Sequence, residues 1–71
     1  GVEKDLSRAR LLYDVACEWG DAVGCNELAD VHEHGTGLEA DPGRAARLYR
    51  KSCALGYEPA CASAERLERQ P

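Results

Sequence analysis

An all-α fold, a solenoid of two helix-turn-helix units with four antiparallel helices, is what this 71-residue sequence predicts. Sliding the chain by 36 positions aligns 10 identical residues in 35 pairs, and self-similarity at such a period marks a repeat architecture. The pairs include Arg8 with Arg44, Leu12 with Leu48, Tyr13 with Tyr49, Cys17 with Cys53, Gly20 with Gly56 and Cys25 with Cys61. Apolar residues recur at the three- and four-residue steps of a half-buried helix, and no segment alternates as a strand would. Residues 1–36 and 37–71 are the two predicted units.

The first helix, about residues 6–19, presents Ala9, Leu12, Tyr13, Ala16 and Cys17 along one stripe, with Asp5 before it as the expected N-cap. Gly20 ends it as a left-handed C-cap. The second, about 22–34, shows Cys25, Leu28, Ala29 and His32 on one side and stops at Gly35-Thr36-Gly37, a loop suited to positive φ. The third, about 42–55, repeats the first with Ala45, Leu48, Tyr49, Ser52 and Cys53. Asp41 precedes it as N-cap, Pro42 takes the first helical position and Gly56 ends it. The fourth, about 59–69, carries Ala60, Cys61, Ala64 and Leu67, with Glu58 as the expected cap.

Composition narrows the function classes. With one Trp, three Tyr and no Phe or Met, the core must come from Leu, Val, Ala and Cys, which makes it thin and in need of staples. A net charge of −4 with interleaved acids and bases offers no basic stripe for neutralising phosphates, so no nucleic-acid partner is expected. No apolar run approaches the roughly 20 residues of a membrane span, so no membrane insertion is expected either. Gly1 to Asp5 align with Gly37 to Asp41, so the chain is expected to open inside a repeat. Its polar end, Arg66 to Gln70, reads as the terminal cap of a longer array.

Four cysteines occupy two equivalent slots, each pair flanking a short turn between antiparallel helices. Such ends lie near the Cα separation of roughly 4.4–6.8 Å that a disulfide tolerates, so Cys17–Cys25 and Cys53–Cys61 are the expected bridges. Each bridge closes a loop of about nine residues and is worth about 2.5 kcal/mol in the chain-entropy model. Two other readings stay open: reduced cysteines packed as small apolar residues, and zinc, whose ligand pairs are usually spaced more closely than seven intervening residues. Bridges imply a periplasmic or secreted setting, reduced thiols a cytoplasmic one.

The run Ala45-Ala46-Arg47-Leu48-Tyr49-Arg50-Lys51-Ser52-Cys53, followed by Leu55-Gly56, resembles the first helix of a Sel1-like repeat. Leu28-Ala29-Asp30-Val31-His32-Glu33-His34-Gly35-Thr36-Gly37-Leu38 is similar to that family's second-helix and loop signature. The cysteine slots further resemble those of the disulfide-rich branch known as Helicobacter cysteine-rich proteins. The resemblance implies an α/α solenoid related to tetratricopeptide repeats, acting as a scaffold for protein or peptide partners. Some cysteine-rich members are described as penicillin-binding or β-lactamase proteins. The residues here do not support that: Ser7, Ser52 and Ser63 are followed three positions later by Arg10, Leu55 and Arg66, so no Ser-x-x-Lys nucleophile exists. No catalytic residue, cofactor or metal ligand is expected. His32 and His34 stand about 200° apart on a helix and cannot face one ion.

A protein-interaction module within a longer array is therefore the expected function, with a structural end-cap lacking its own ligand as the alternative. Arg10, Asp14, Arg47 and Arg50 lie off the core stripe of the first helices and are candidate partner contacts. Trp19 is a further candidate anchor, although filling a groove between helices is its expected place. Self-association through Leu6, Leu11 and Val15 on the first helix is the other partner expectation. Mass spectrometry of the native, non-reduced protein is expected to find no free thiol; four free thiols would remove both the bridges and the oxidising compartment.

Overall fold

The computed structural model describes residues 2–35 and 38–70, with side chains from Ser7 onward. Four helices follow one another in the described residues: α1 (Val2–Glu18), α2 (Ala22–His34), α3 (Pro42–Ala54) and α4 (Glu58–Glu68). Each packs against its neighbours in chain order, and the α2–α3 interface is the most extensive. The result is a slab of 35 × 29 × 14 Å.

The turns that reverse the chain after α1 and α3 are built alike. Gly20 (φ 87°) and Gly56 (φ 106°) adopt the left-handed conformation that glycine tolerates without a Cβ penalty. The Gly20 N–H donates to the Cys17 carbonyl (3.0 Å) and the Asp21 N–H to that of Ala16 (2.9 Å). In the second unit Gly56 donates to Cys53 (3.0 Å) and Tyr57 to Ser52 (3.1 Å). These paired bonds form a Schellman motif, which occupies carbonyls a helix end leaves open and throws the chain back on itself. The cysteines straddle both turns. Cys17 is paired with Cys25 and Cys53 with Cys61 at disulfide distance, with Cα separations of 4.5 and 4.8 Å.

Helix starts differ from the sequence-based expectation in two places. α1 begins at Val2, so Asp5 lies inside it rather than capping it. The second unit has Pro42 where the first has Leu6, and a proline pushes the residue before it out of the helical region; without one, nothing stops α1 from starting earlier. In α4 the N-cap is Tyr57, whose side chain makes no capping bond, and Glu58 is already helical. The Schellman turn leaves Tyr57 extended (φ −91°, ψ 93°), and the helix starts directly after it. Asp41 does cap α3, accepting from the Arg44 N–H at 3.1 Å. Asp21 caps α2 through the Val23 and Gly24 N–H groups, at 3.0 and 3.3 Å. Gly35 ends α2 with φ 69°, whereas Gly37 lies outside the described residues.

The interior is made of small residues. One cluster holds Ala29, Ala45, Tyr49, Ala60, Ala64 and Leu67, the other Cys17, Cys25 and Leu28, and Leu48 packs against both. Leu12, expected in the core stripe, is 63% exposed, because its α3 counterpart Leu48 faces the preceding unit and no described element lies in the matching place beside α1. Two features set the helix spacing. Buried Ser52 donates its hydroxyl to the Ala22 carbonyl at 2.6 Å, tying α3 to α2. Gly24 lets α2 approach α1 so closely that a Cβ there would stand 2.7 Å from the Ala16 Cβ and 3.2 Å from the Cys17 nitrogen.

Gly24→Ala is therefore expected to destabilise the fold. Overpacking costs about 1–3 kcal/mol, against the roughly 0.5–1 kcal/mol that alanine regains in a helix interior. Moving the methyl across the contact, in the double variant Ala16→Gly/Gly24→Ala, should recover most of the loss in urea denaturation. A more stable single variant would contradict the close approach.

Candidate partner-binding surface

Between α1, α2 and α3 lies an open groove of about 250 Å³, lined by Arg10, Leu11, Asp14, Leu28, His32 and Arg44. Residues four apart on a helix project from the same face, which places Arg10 with Asp14 on α1 and Leu28 with His32 on α2. Arg44 enters from the first turn of α3, next to its Asp41 cap. Its Nε donates to His32 Nε2 at 3.3 Å, which leaves the imidazole proton on Nδ1, a buried atom without a partner among the described residues. Burial, and after it the Arg44 charge, hold His32 below the ordinary histidine range, so the ring accepts from Arg44 as the neutral form.

Of the candidate contacts, the structure brings Arg10 and Asp14 together in this groove. The others stand apart from it. Arg47 is exposed on α3. Arg50 reaches the opposite way, forming a two-pronged ion pair with Glu68 on α4 in which Nε and Oε2 are 3.0 Å apart. Trp19 does not fill a groove between helices: it sits on the glycine turn, one residue past α1, and is 86% exposed. The Schellman geometry turns that position outward, and Leu55, its counterpart, is 43% exposed.

A second polar group joins α2, α3 and α4. Glu33, 12% exposed, accepts from Arg66 Nη1 (2.6 Å) and Nη2 (3.1 Å) and from the Tyr49 hydroxyl (2.9 Å). Arg66 holds the carboxyl below the usual glutamate range, against burial, with the Tyr49 bond adding to the effect. Burial first, and then the Glu33 acceptor, push the Tyr49 phenol far up. Asp30, Glu33 and His34 place donor atoms within 4.8 Å of one another. The Glu33 oxygens are already taken by Arg66 and Tyr49, so the group is structural in its bonding. The hydroxyl of Ser52 is buried and committed to a carbonyl, which leaves it no part as a nucleophile.

Arg44 and His32 were not among the sequence-derived contacts. His32 had one readable signal, its place four residues after Leu28 on the inner side of α2. The Glu33–Tyr49–Arg66 group had none, since its members are 16 and 33 residues apart.

The Sel1 repeat pattern matches residues 1–21 and 22–57, more than half of the chain. The chain belongs to the Sel1 repeat family. The second match runs from α2 through α3, dividing the array one helix out of phase with the units 1–36 and 37–71. The Xenopus tropicalis protein described as cytochrome c oxidase assembly factor 7 is 33% identical over 64 residues, which cover 89% of this chain and 28% of that protein. The chain thus spans under a third of its relative. No solved structure matches. Sel1 repeats are helical, solenoid-type units that in general mediate protein–protein contacts and are not catalytic. No helix of the described residues is long and apolar enough to cross a membrane.

Glu33→Ala leaves the Tyr49 hydroxyl without its acceptor and should cost about 1–3 kcal/mol, read from denaturation midpoints at pH 7. Glu33→Gln tests the charge. Because the folded pKa is depressed, the stabilisation is complete above the unfolded value of about 4.3 and is lost as pH falls through the lower folded value. The gap between wild type and Glu33→Gln should therefore narrow from neutral pH toward about pH 3. A gap constant over that range would contradict the ion pair.

Proposed function

We propose that this chain is a protein-binding scaffold segment of a longer Sel1-like array, in which residues 1–36 and 37–71 are successive units and catalysis plays no part. The observation that carries the proposal is the side chains left in solvent. Trp19, Leu11 and Val15 are each at least half exposed, and Leu11 lines a groove edged by Arg10, Asp14 and Arg44. A small helical domain gains nothing in stability from a tryptophan 86% exposed, whereas an aromatic of this kind is a strong interface anchor. Family membership supports the reading, and so does the relative described as an assembly factor. Arg50 is the weakest of the candidate contacts, being held by Glu68.

The two cysteine pairs support placement in the cysteine-rich branch that resembles Helicobacter cysteine-rich proteins, and a periplasmic or secreted setting where bridges persist. Photo-crosslinking residues installed at Trp19, Arg47 and Glu65 in the full-length protein, in the cells that make it, test the scaffold reading. Adducts to other proteins from Trp19 or Arg47, and none from Glu65 on the exposed side of α4, are expected. Absence of adducts from all three would sink it.

A further inference from the structure

The second unit is an internal control for the first. α3 has a preceding unit packed against it, and α1 occupies the same register 36 positions earlier. Ala45, Tyr49 and Ser52 of α3 are buried, and Leu48 packs against the Cys17–Cys25–Leu28 cluster of the preceding unit. Their equivalents on α1 are Ala9, Leu12, Tyr13 and Ala16. Stacking of a further unit thus explains why Leu12 is bare. It does not explain Leu11, Val15 and Trp19, which are 61%, 50% and 86% exposed. Their equivalents are Arg47, Lys51 and Leu55, and all three stay exposed on α3 although a unit precedes it.

Stacking therefore leaves this line of positions in solvent. In the second unit it carries two cations on the helix, as a solvated face does, and Leu55 at the turn. In the first it carries three large apolar groups at i, i+4 and i+8, a line about 12 Å long that runs along α1 to the residue just past its end, whose N–H still donates to the Val15 carbonyl. Leu11 belongs both to this line and to the groove. The groove holds two guanidinium groups, Arg10 and Arg44, against one carboxylate, Asp14, and neither arginine is in an ion pair among the described residues.

An apolar line flanked at its Leu11 end by Arg10 and Arg44, which outnumber Asp14 there, fits an amphipathic helix with acidic residues beside its apolar face at that end. A second copy docked antiparallel on the same surface, about a twofold axis lying across the line, would instead set the edge that carries Arg10 and Arg44 against its own image. We propose that Leu11, Val15 and Trp19, with Arg10 and Arg44, form a docking surface for an amphipathic, acidic helical segment of a partner protein. This rests on the scaffold reading and names the chemistry of its partner.

Trp19 is the only tryptophan, so its emission reports occupancy directly. The 71-residue chain is titrated with a 14-residue helical peptide bearing leucines on one face and glutamates along the edge. Two control peptides carry lysine for glutamate or serine for leucine. Saturable blue-shifted emission is expected with the first peptide, and at least tenfold weaker binding with either control. The variant Leu11→Arg/Val15→Lys places on α1 the residues α3 already carries, so an unchanged circular dichroism spectrum is expected with at least tenfold weaker binding. Arg44→Ala should weaken binding and flatten its salt dependence.

Equal binding by the double variant, or by the lysine peptide, would overturn the proposal. So would a wild-type dimer that the double variant converts to monomer while no peptide binds, since a second copy would then be the occupant. Failure of the peptide experiment with Arg47 adducts retained would remove this surface and leave the scaffold reading. Loss of every adduct would remove both.

Discussion

The pinched turn between paired helices is the constraint on which the rest of the molecule depends. A glycine in the left-handed conformation closes each turn, two backbone bonds seal it, and a cysteine pair clamps the helix ends 4.5 and 4.8 Å apart at Cα. With the ends held this close there is little room between the paired helices near the turns for large side chains. That is why alanine, cysteine, serine and glycine dominate the interior around Leu28, Tyr49 and Leu67, and why one methyl at Gly24 would collide with Ala16. A core so thin gives little hydrophobic stabilisation per residue, and the clamps compensate by restricting the unfolded chain.

The same tightness shapes the surface. Large apolar groups that cannot fit between the helices have two places to go, the contact between successive units or solvent. Leu48 takes the first course, packing against the preceding cluster, and Leu11, Val15 and Trp19 take the second. Polar groups do the joining where apolar area is short. Ser52 binds a carbonyl of α2, and Glu33 gathers Tyr49 of α3 and Arg66 of α4. Each of these bonds links residues on different helices. Together they lock the stacking of units, while the cysteines lock each hairpin.

No single helix makes the groove. The groove needs α1 for Arg10 and Asp14, α2 for Leu28 and His32, and α3 for Arg44. Arg50, which shares the register of Asp14, is instead occupied by Glu68. Equivalent positions in two copies of one repeat thus serve different ends, one as groove and one as internal clasp. The difference is set by which side chain the following helix offers.

What the sequence by itself determined is everything local and periodic. The 36-residue register is legible as identity between the two copies, and the glycine turns, the Asp41 cap and the cysteine pairing are legible because each depends on residues within about two turns of one another. The start of α1 is not legible from the repeat, because identity between the copies at Asp5 and Asp41 conceals the difference between Leu6 and Pro42. Only the tertiary structure decided which side of each helix meets a neighbour. That choice bared Trp19 and Leu12, occupied Arg50, brought His32 to Arg44 and joined Glu33 to residues far along the chain. Helical periodicity marks an apolar stripe but not its occupant, and the occupant depends on how the units stack in space.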